Sequence, residues 1–200
     1  MKYDPQNHKI IINRNLNELD KFALDFTKIL QKHVDYVIIS GYISILLGRA
    51  RATEDIDMFI KPLSKEKFSQ LYQDLLKNGF WCLNAEKTEE VFNYLNQELA
   101  IRFSRKNQAI PNFEVKFSKN QIEEETFTDA ITAILPLGKL KISSLERQIA
   151  FKRYYLQSDK DIEDALHIEE LFKEQLDYGK INKLKKQIEK IKQREHDNLS

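Results

Sequence analysis

Apolar positions along the chain change period several times, and each change marks an element. Leu19, Phe22, Ala23, Phe26, Ile29 and Leu30 fall on one face at helical spacing. Asn15 with Glu18 makes a capping-box-like start, so the spacing predicts a helix through about His33. Val37, Ile38 and Ile39 form a β-branched run that suits a strand buried on both faces. Ser40-Gly41 is a small-residue turn, Tyr42 to Leu47 has room for about two helical turns, and Gly48 ends them. A period of two then places Asp55 and Asp57 on one face of a strand and Ile56 and Met58 on the other. Pro62 breaks this strand and Ser64 caps a helix, with Leu63 and Phe68 placed as a hydrophobic staple. Leu71, Tyr72, Leu75 and Leu76 continue that helix until Asn78-Gly79. Phe80 to Leu83 reads as a strand, Thr88 to Gln97 as a short helix, and Leu99 to Ser104 and Phe113 to Ser118 as strands joined by a polar loop. Residues 1–14 hold one short apolar run, Ile10 to Ile12, and are expected to be a loose arm or an edge strand.

Between Gln121 and Ile142 the pattern fits two structures. Phe127, Ala130, Ile131 and Ile134 have helical spacing, yet their β-branched members suit a strand, and Pro136-Leu137-Gly138 is a turn signal. Glu123, Glu124 and Glu125 read as a solvated edge. From Ser143 the pattern is helical: Ser143 and Glu146 suggest a capping box, and a helix runs to about Gln157 with Leu145, Ile149 and Leu156 as its stripe. The expected fold class is therefore α/β (α+β). A mixed sheet flanked by helices occupies residues 1–142 and a helical C-terminal domain occupies 143–200.

Composition narrows the picture without changing it. The chain is 42% hydrophobic and 32% charged, as in globular proteins, and its net charge of +1 leaves nucleic-acid affinity to local patches. A single cysteine, Cys82, excludes an internal disulfide framework and sits in an apolar strand. With no secretory signal and no bilayer-length apolar run, a cytoplasmic protein without membrane contact is expected. The strongest local charge is in Lys180 to Arg194, where seven Lys or Arg accompany one Glu around the stripe Ile181, Leu184, Ile188 and Ile191. Such a helix is either a solvated face or an electrostatic footprint for RNA.

The candidate chemistry centres on Asp55 and Asp57. Like charges on one face repel, and divalent cations relieve the repulsion; an all-oxygen donor set favours Mg2+ or Mn2+. Ser40 and Gly41, at the start of a short helix, are placed to approach an anion. A phosphate-binding turn facing a two-carboxylate platform equips a site for phosphoryl or nucleotidyl transfer. The plainer alternative is that Asp55 caps a turn and Asp57 is solvated.

Ser40-Gly41 followed by thirteen residues and then Asp55-Ile56-Asp57 resembles the signature of the DNA polymerase β-type nucleotidyltransferase superfamily, with Ser40 standing where glycine is usual. The resemblance implies a third carboxylate on a later strand, for which Glu114 in FEVKF is the best-placed match; the alternative is an exposed Glu114–Lys116 alternation. Lys152, followed by Lys160-Asp161-Ile162-Glu163-Asp164, is similar to the lysine and acid helices of the abortive-infection (AbiEii-like) toxins, with Ser158 where a basic residue is usual. By that resemblance Asp55, Asp57 and Glu114 bind metal and act in catalysis. Ser40, Gly41, Arg49, Arg51, Lys152 and Asp161 then serve the nucleoside triphosphate, and the acceptor hydroxyl belongs to tRNA, another RNA, a protein side chain or a small molecule. Lys152, an ammonium inside an apolar stripe, is expected to reach a carboxylate of the catalytic face when no NTP is bound. The helix that carries Asp161 and His167 is also explained by Ser158 as a cap and acids in its first turn. The rival reading of the whole chain is a catalytically idle nucleotide- or RNA-binding module, one half of a toxin–antitoxin pair with an antitoxin protein as partner.

Overall fold

The computed structural model describes residues 1–197. Its strands are β1 (Lys2–Asp4), β2 (Lys9–Ile11), β3 (Tyr36–Ile38), β4 (Asp55–Ile60), β5 (Phe80–Cys82), β6 (Ile101–Arg105), β7 (Asn112–Phe117), β8 (Ile131–Leu135) and β9 (Gly138–Ile142). They form one mixed sheet in the order β1-β2-β8-β9-β3-β4-β7-β6-β5. The helices are α1 (Glu18–Leu30), α2 (Gly41–Leu46), α3 (Lys65–Lys77), α4 (Thr88–Asn96), α5 (Gln121–Thr128), α6 (Leu145–Phe151), α7 (Asp159–Phe172) and α8 (Tyr178–Asp197), with a π-helical turn at Lys152–Leu156. The chain is thus a mixed α/β protein, a sheet flanked by helices and followed by a helical C-terminal part.

At the centre of the sheet β4 and β7 run parallel, pairing Ile56 with Phe113, Asp57 with Glu114 and Met58 with Val115. Paired residues share a face. One face therefore carries Ile56, Met58, Phe113 and Val115, all buried. Helix α1 covers it: the Phe26 ring stacks on Phe113 at 4.2 Å between centroids, and Phe22 does so at 5.1 Å. The other face carries Asp55, Asp57 and Glu114, so the period-two pattern separates core from candidate chemistry. β6 extends the same division, with Arg102 opposite Glu114 and Phe103 opposite Phe113.

Several local expectations need correction. The cap of α1 is Asn17, whose side chain accepts from the Asp20 N–H while the Asp20 carboxylate accepts from the Asn17 N–H. Asn15 and Glu18 play no such part, because Asp20 has the stronger reason to be where it is: it is fully buried and also accepts two hydrogen bonds from Arg14 and one from Tyr42. The cap of α6 is Ser144 rather than Ser143. The helix beginning there changes to π geometry at Lys152, which turns Leu156 out to solvent at 47% exposure while Lys152 stays buried at 1%. The ambiguous stretch resolves into both structures in turn, helix α5 and then the β8–β9 hairpin through Pro136-Leu137. Of the two readings of the N-terminal arm the edge strand holds: β1 is the edge of the sheet, and β2 beside it runs parallel to β8 with Ile10 and Ile12 buried.

Candidate active site

The turn between β3 and α2 places Ser40 beside the acidic face. The Ile39 N–H donates to the Asp57 carbonyl at 2.9 Å, which fixes the end of β3 against β4. Ser40 itself has φ 64° and ψ −141°, a region that suits glycine. Gln148 of α6 holds it there. With its amide oriented to satisfy both groups, Gln148 accepts from the Ser40 N–H and donates to the Ser40 carbonyl, each at 3.2 Å. On the far side of the turn, Tyr42 donates to the buried Asp20 at 2.9 Å, tying α2 to α1. Neither clamp was apparent in the sequence. A buried Tyr hydroxyl usually finds a partner, which was the one available signal for Asp20.

Asp55, Asp57 and Glu114 stand together on the open face of β4 and β7. Burial, then the charges of Asp55 and Glu114, push the Asp57 carboxyl up to about 6, while a hydrogen bond from the Ser40 hydroxyl acts in the opposite direction. Asp55 accepts from the Thr53 hydroxyl at 3.1 Å. Glu114 differs. Burial raises its carboxyl, but hydrogen bonds from Lys116 and Arg102 outweigh this and hold it below the ordinary glutamate value. The Lys116 ammonium lies at 2.7 Å and the Arg102 guanidinium at 3.0 Å.

The donor chemistry fits a divalent cation at Asp55 and Asp57: two half-buried oxygen donors, one of them destabilised in its ionised form by its neighbours. Glu114 does not complete a cage as it stands, because its oxygens face Lys116 and Arg102. Among the described residues no group of three His, Cys, Asp or Glu side chains is arranged to hold one ion.

The basic candidates gather elsewhere, around Asp164 of α7. This fully buried carboxylate is contacted by Arg49, by Arg51 and, at 2.8 Å, by Lys152. Arg49 also reaches Glu163 and the Lys160 carbonyl, and Lys152 also reaches Asp161 at 3.1 Å. The expectation that Lys152 pairs with the catalytic face is therefore corrected: its anions come from α7, nine and twelve residues on. Burial raises the Asp164 carboxyl, but the bonds from Lys152 and Arg49 and the charge of Arg51 hold it below the ordinary value. Arg51 connects this cluster to the turn, since its guanidinium lies 3.2 Å from where a Cβ on Gly41 would stand. Gly41 thus meets Arg51 directly, whereas Arg49, Lys152 and Asp161 join Arg51 only through the carboxylates of α7. His167 stands on the same helix and contacts the Leu47 carbonyl at 3.2 Å, a packing role.

No protein-family model and no curated protein matches the chain. Among solved structures it is similar to an antigenic nucleotidyltransferase-like protein from Paracoccidioides brasiliensis, with a TM-score of 0.47 and 21% identity over 73% of this chain and 72% of that one. No helix among the described residues is long and apolar enough to cross a membrane.

Proposed function

We propose that the chain is a nucleotidyltransferase of the DNA polymerase β type, in its minimal, AbiEii-like branch, moving a nucleoside monophosphate from an NTP to an acceptor hydroxyl. The observation that carries this reading is the acidic face itself: Asp55, Asp57 and Glu114 on two parallel strands, with the Ser40 turn at its edge. In this reading Asp55 and Asp57 hold Mg2+ or Mn2+, which supplies charge neutralisation at the phosphates. Ser40 and Gly41 bind the triphosphate backbone, and Arg51, lying over Gly41, is the first cation it meets. Arg49, Lys152 and Asp161 position Arg51 and Asp164 from behind. Glu114, ionised throughout the physiological range, suits holding charge rather than taking up a proton. The acceptor is tRNA, another RNA, a protein side chain or a small molecule; an antitoxin protein as partner belongs to the rival, idle-module reading.

One observation favours the rival, an idle nucleotide-binding module: Glu114, Arg49, Arg51 and Lys152 all have partners within the protein. Titrating each NTP with and without Mg2+, then measuring pyrophosphate release with an RNA acceptor pool, separates the two. Metal-dependent binding with release supports transfer. Binding without release supports the idle module, and no binding at all removes both.

A further inference from the structure

The long C-terminal helix α8 divides its charges into two sets. Lys180 is spent inside the protein, on Asp129 at 3.0 Å and Glu146 at 3.5 Å. Lys185 lies over the Tyr154 ring and Lys192 over the Tyr155 ring, with Lys192 also donating to Gln157. Lys183, Lys186, Lys190 and Arg194 are different: all are exposed, and none has a hydrogen-bond or ion-pair partner among the described residues. Their spacing of three, four and four residues places them on one face of the helix. They span about 16 Å at 1.5 Å per residue, with neighbours about 5–6 Å apart. Like charges at this spacing repel, so the row opposes the helix that carries it. The net charge of +1 means that the rest of the molecule does not share this excess.

A basic helix serves a membrane only if it has an apolar face to insert. Here that face is used: Ile181, Leu184 and Ile188 are at most 3% exposed, packed in the core. Beside the row lies a groove of about 470 Å³ between α8 and α5, whose lining includes Lys190 and Arg194 together with one carboxylate, Glu125. Ile122 and Ile191 supply apolar walls. Gln121 donates to Glu125 at 3.0 Å and Gln187 does so at 3.5 Å, which leaves their carbonyl oxygens as acceptors.

We infer that this face binds single-stranded RNA. The cation row matches the regular charge of a nucleic-acid strand, the groove admits an unpaired base, and the free amide oxygens accept from a ribose 2′-hydroxyl, a group DNA lacks. The inference extends the proposed function by naming the acceptor class, but it is tested without nucleotide or metal, so its failure leaves the Asp55–Asp57 reading untouched.

The test is fluorescence anisotropy with a labelled, mixed-sequence RNA dodecamer and its DNA counterpart across a potassium chloride series. Wild-type protein is expected to bind the RNA more tightly than the DNA. The variant K183Q/K186Q/K190Q/R194Q should lose roughly tenfold or more in RNA affinity and shed about 3 from the slope of log affinity against log salt, at about 0.7 per lost contact. Its melting temperature should stay level or rise, since repulsion is relieved. A control, K28Q/K139Q, removes two exposed charges elsewhere and should bind as wild type does. No RNA binding by the wild type, an unaltered affinity in the four-site variant, or an equal loss in the control overturns the inference. Equal affinity for DNA overturns the assignment to RNA, and capture by phosphatidylserine vesicles in place of RNA overturns the choice of partner.

Discussion

Asp57 and Glu114 occupy the same level of two neighbouring parallel strands, yet their surroundings push their carboxyls in opposite directions. Burial and the like charges of Asp55 and Glu114 outweigh the Ser40 hydroxyl and the more weakly felt charge of Lys116 at Asp57, whereas Glu114 has an ammonium and a guanidinium against its oxygens. One carboxyl is therefore poised near neutrality and the other is firmly ionised.

The Asp57 imbalance sets a pH dependence. A raised carboxyl favours folding in its protonated form, so its contribution is complete below about 4 and is lost as pH rises through about 6. At 1.36 kcal/mol per pH unit, the gap from 3.8 to about 6 corresponds to roughly 3 kcal/mol. Asp57→Asn should therefore melt several degrees above wild type at pH 8 and level with it at pH 4. Mg2+ should narrow the difference at pH 8 by raising the wild type alone. Identical melting curves at both pH values would remove Asp57 from a charge-stressed site.

Ser40 sits where a Cβ is strained, at a cost on the order of 1–3 kcal/mol. Ser40→Gly relieves that strain and loses the hydroxyl's bond to Asp57, while Ser40→Ala loses the bond and keeps the strain. Urea denaturation should rank the glycine variant above the alanine variant by about 1 kcal/mol or more. Equal midpoints would show that the turn relaxes without cost.

Gln148→Leu keeps most of the side-chain volume and removes both partners of the Ser40 peptide groups. Leaving them unpaired should cost roughly 2–3 kcal/mol. NTP affinity should fall in parallel, because the turn is no longer held at its strained angle. A variant that is destabilised but binds NTP like wild type would make Gln148 a structural residue only.

Lys152 and Asp164 should behave asymmetrically. Lys152→Met leaves Asp164 with Arg49 and Arg51, so a loss of about 1–3 kcal/mol is expected. Asp164→Asn leaves three cations facing one another, and about 3–5 kcal/mol is expected. Because Asp164 is held below the ordinary carboxylate value, its contribution is present at neutral pH and lost as pH falls through its folded value. The two variants should thus differ most at pH 7 and converge in acid, as followed by thermal melting.

Much of the central sheet was readable in the sequence because its signals are local. Alternation in Asp55-Ile56-Asp57-Met58 and in FEVKF fixes which side chains share a face, and β4 and β7 then need only pair in register. Ser64 and Asn78-Gly79 bound α3 for equally local reasons. What escaped depends on partners far along the chain. Asp20 is a buried ion only because Arg14 and Tyr42 close around it, and Asp164 is a hub only because α7 packs on the loop after α2. The π turn at Lys152 defeated helical counting: one turn holding an extra residue turned Leu156 from the stripe to solvent.

The parallel pairing of β2 with β8 brings Lys9 beside Thr132 and Ile11 beside Ile134, across more than half the chain. During synthesis from the N-terminus, the β1–β2 hairpin emerges long before the strand it docks on. A two-stranded ribbon alone is marginal in water, so it must wait, partly formed at best, while the middle of the sheet assembles from nearer partners such as β3 and β4. Lys2 and Lys9 are exposed on this ribbon and discourage stray strand pairing during the delay. The free edge of β2 can therefore close only after Ile131 to Leu135 has been made, however early the rest of the sheet forms.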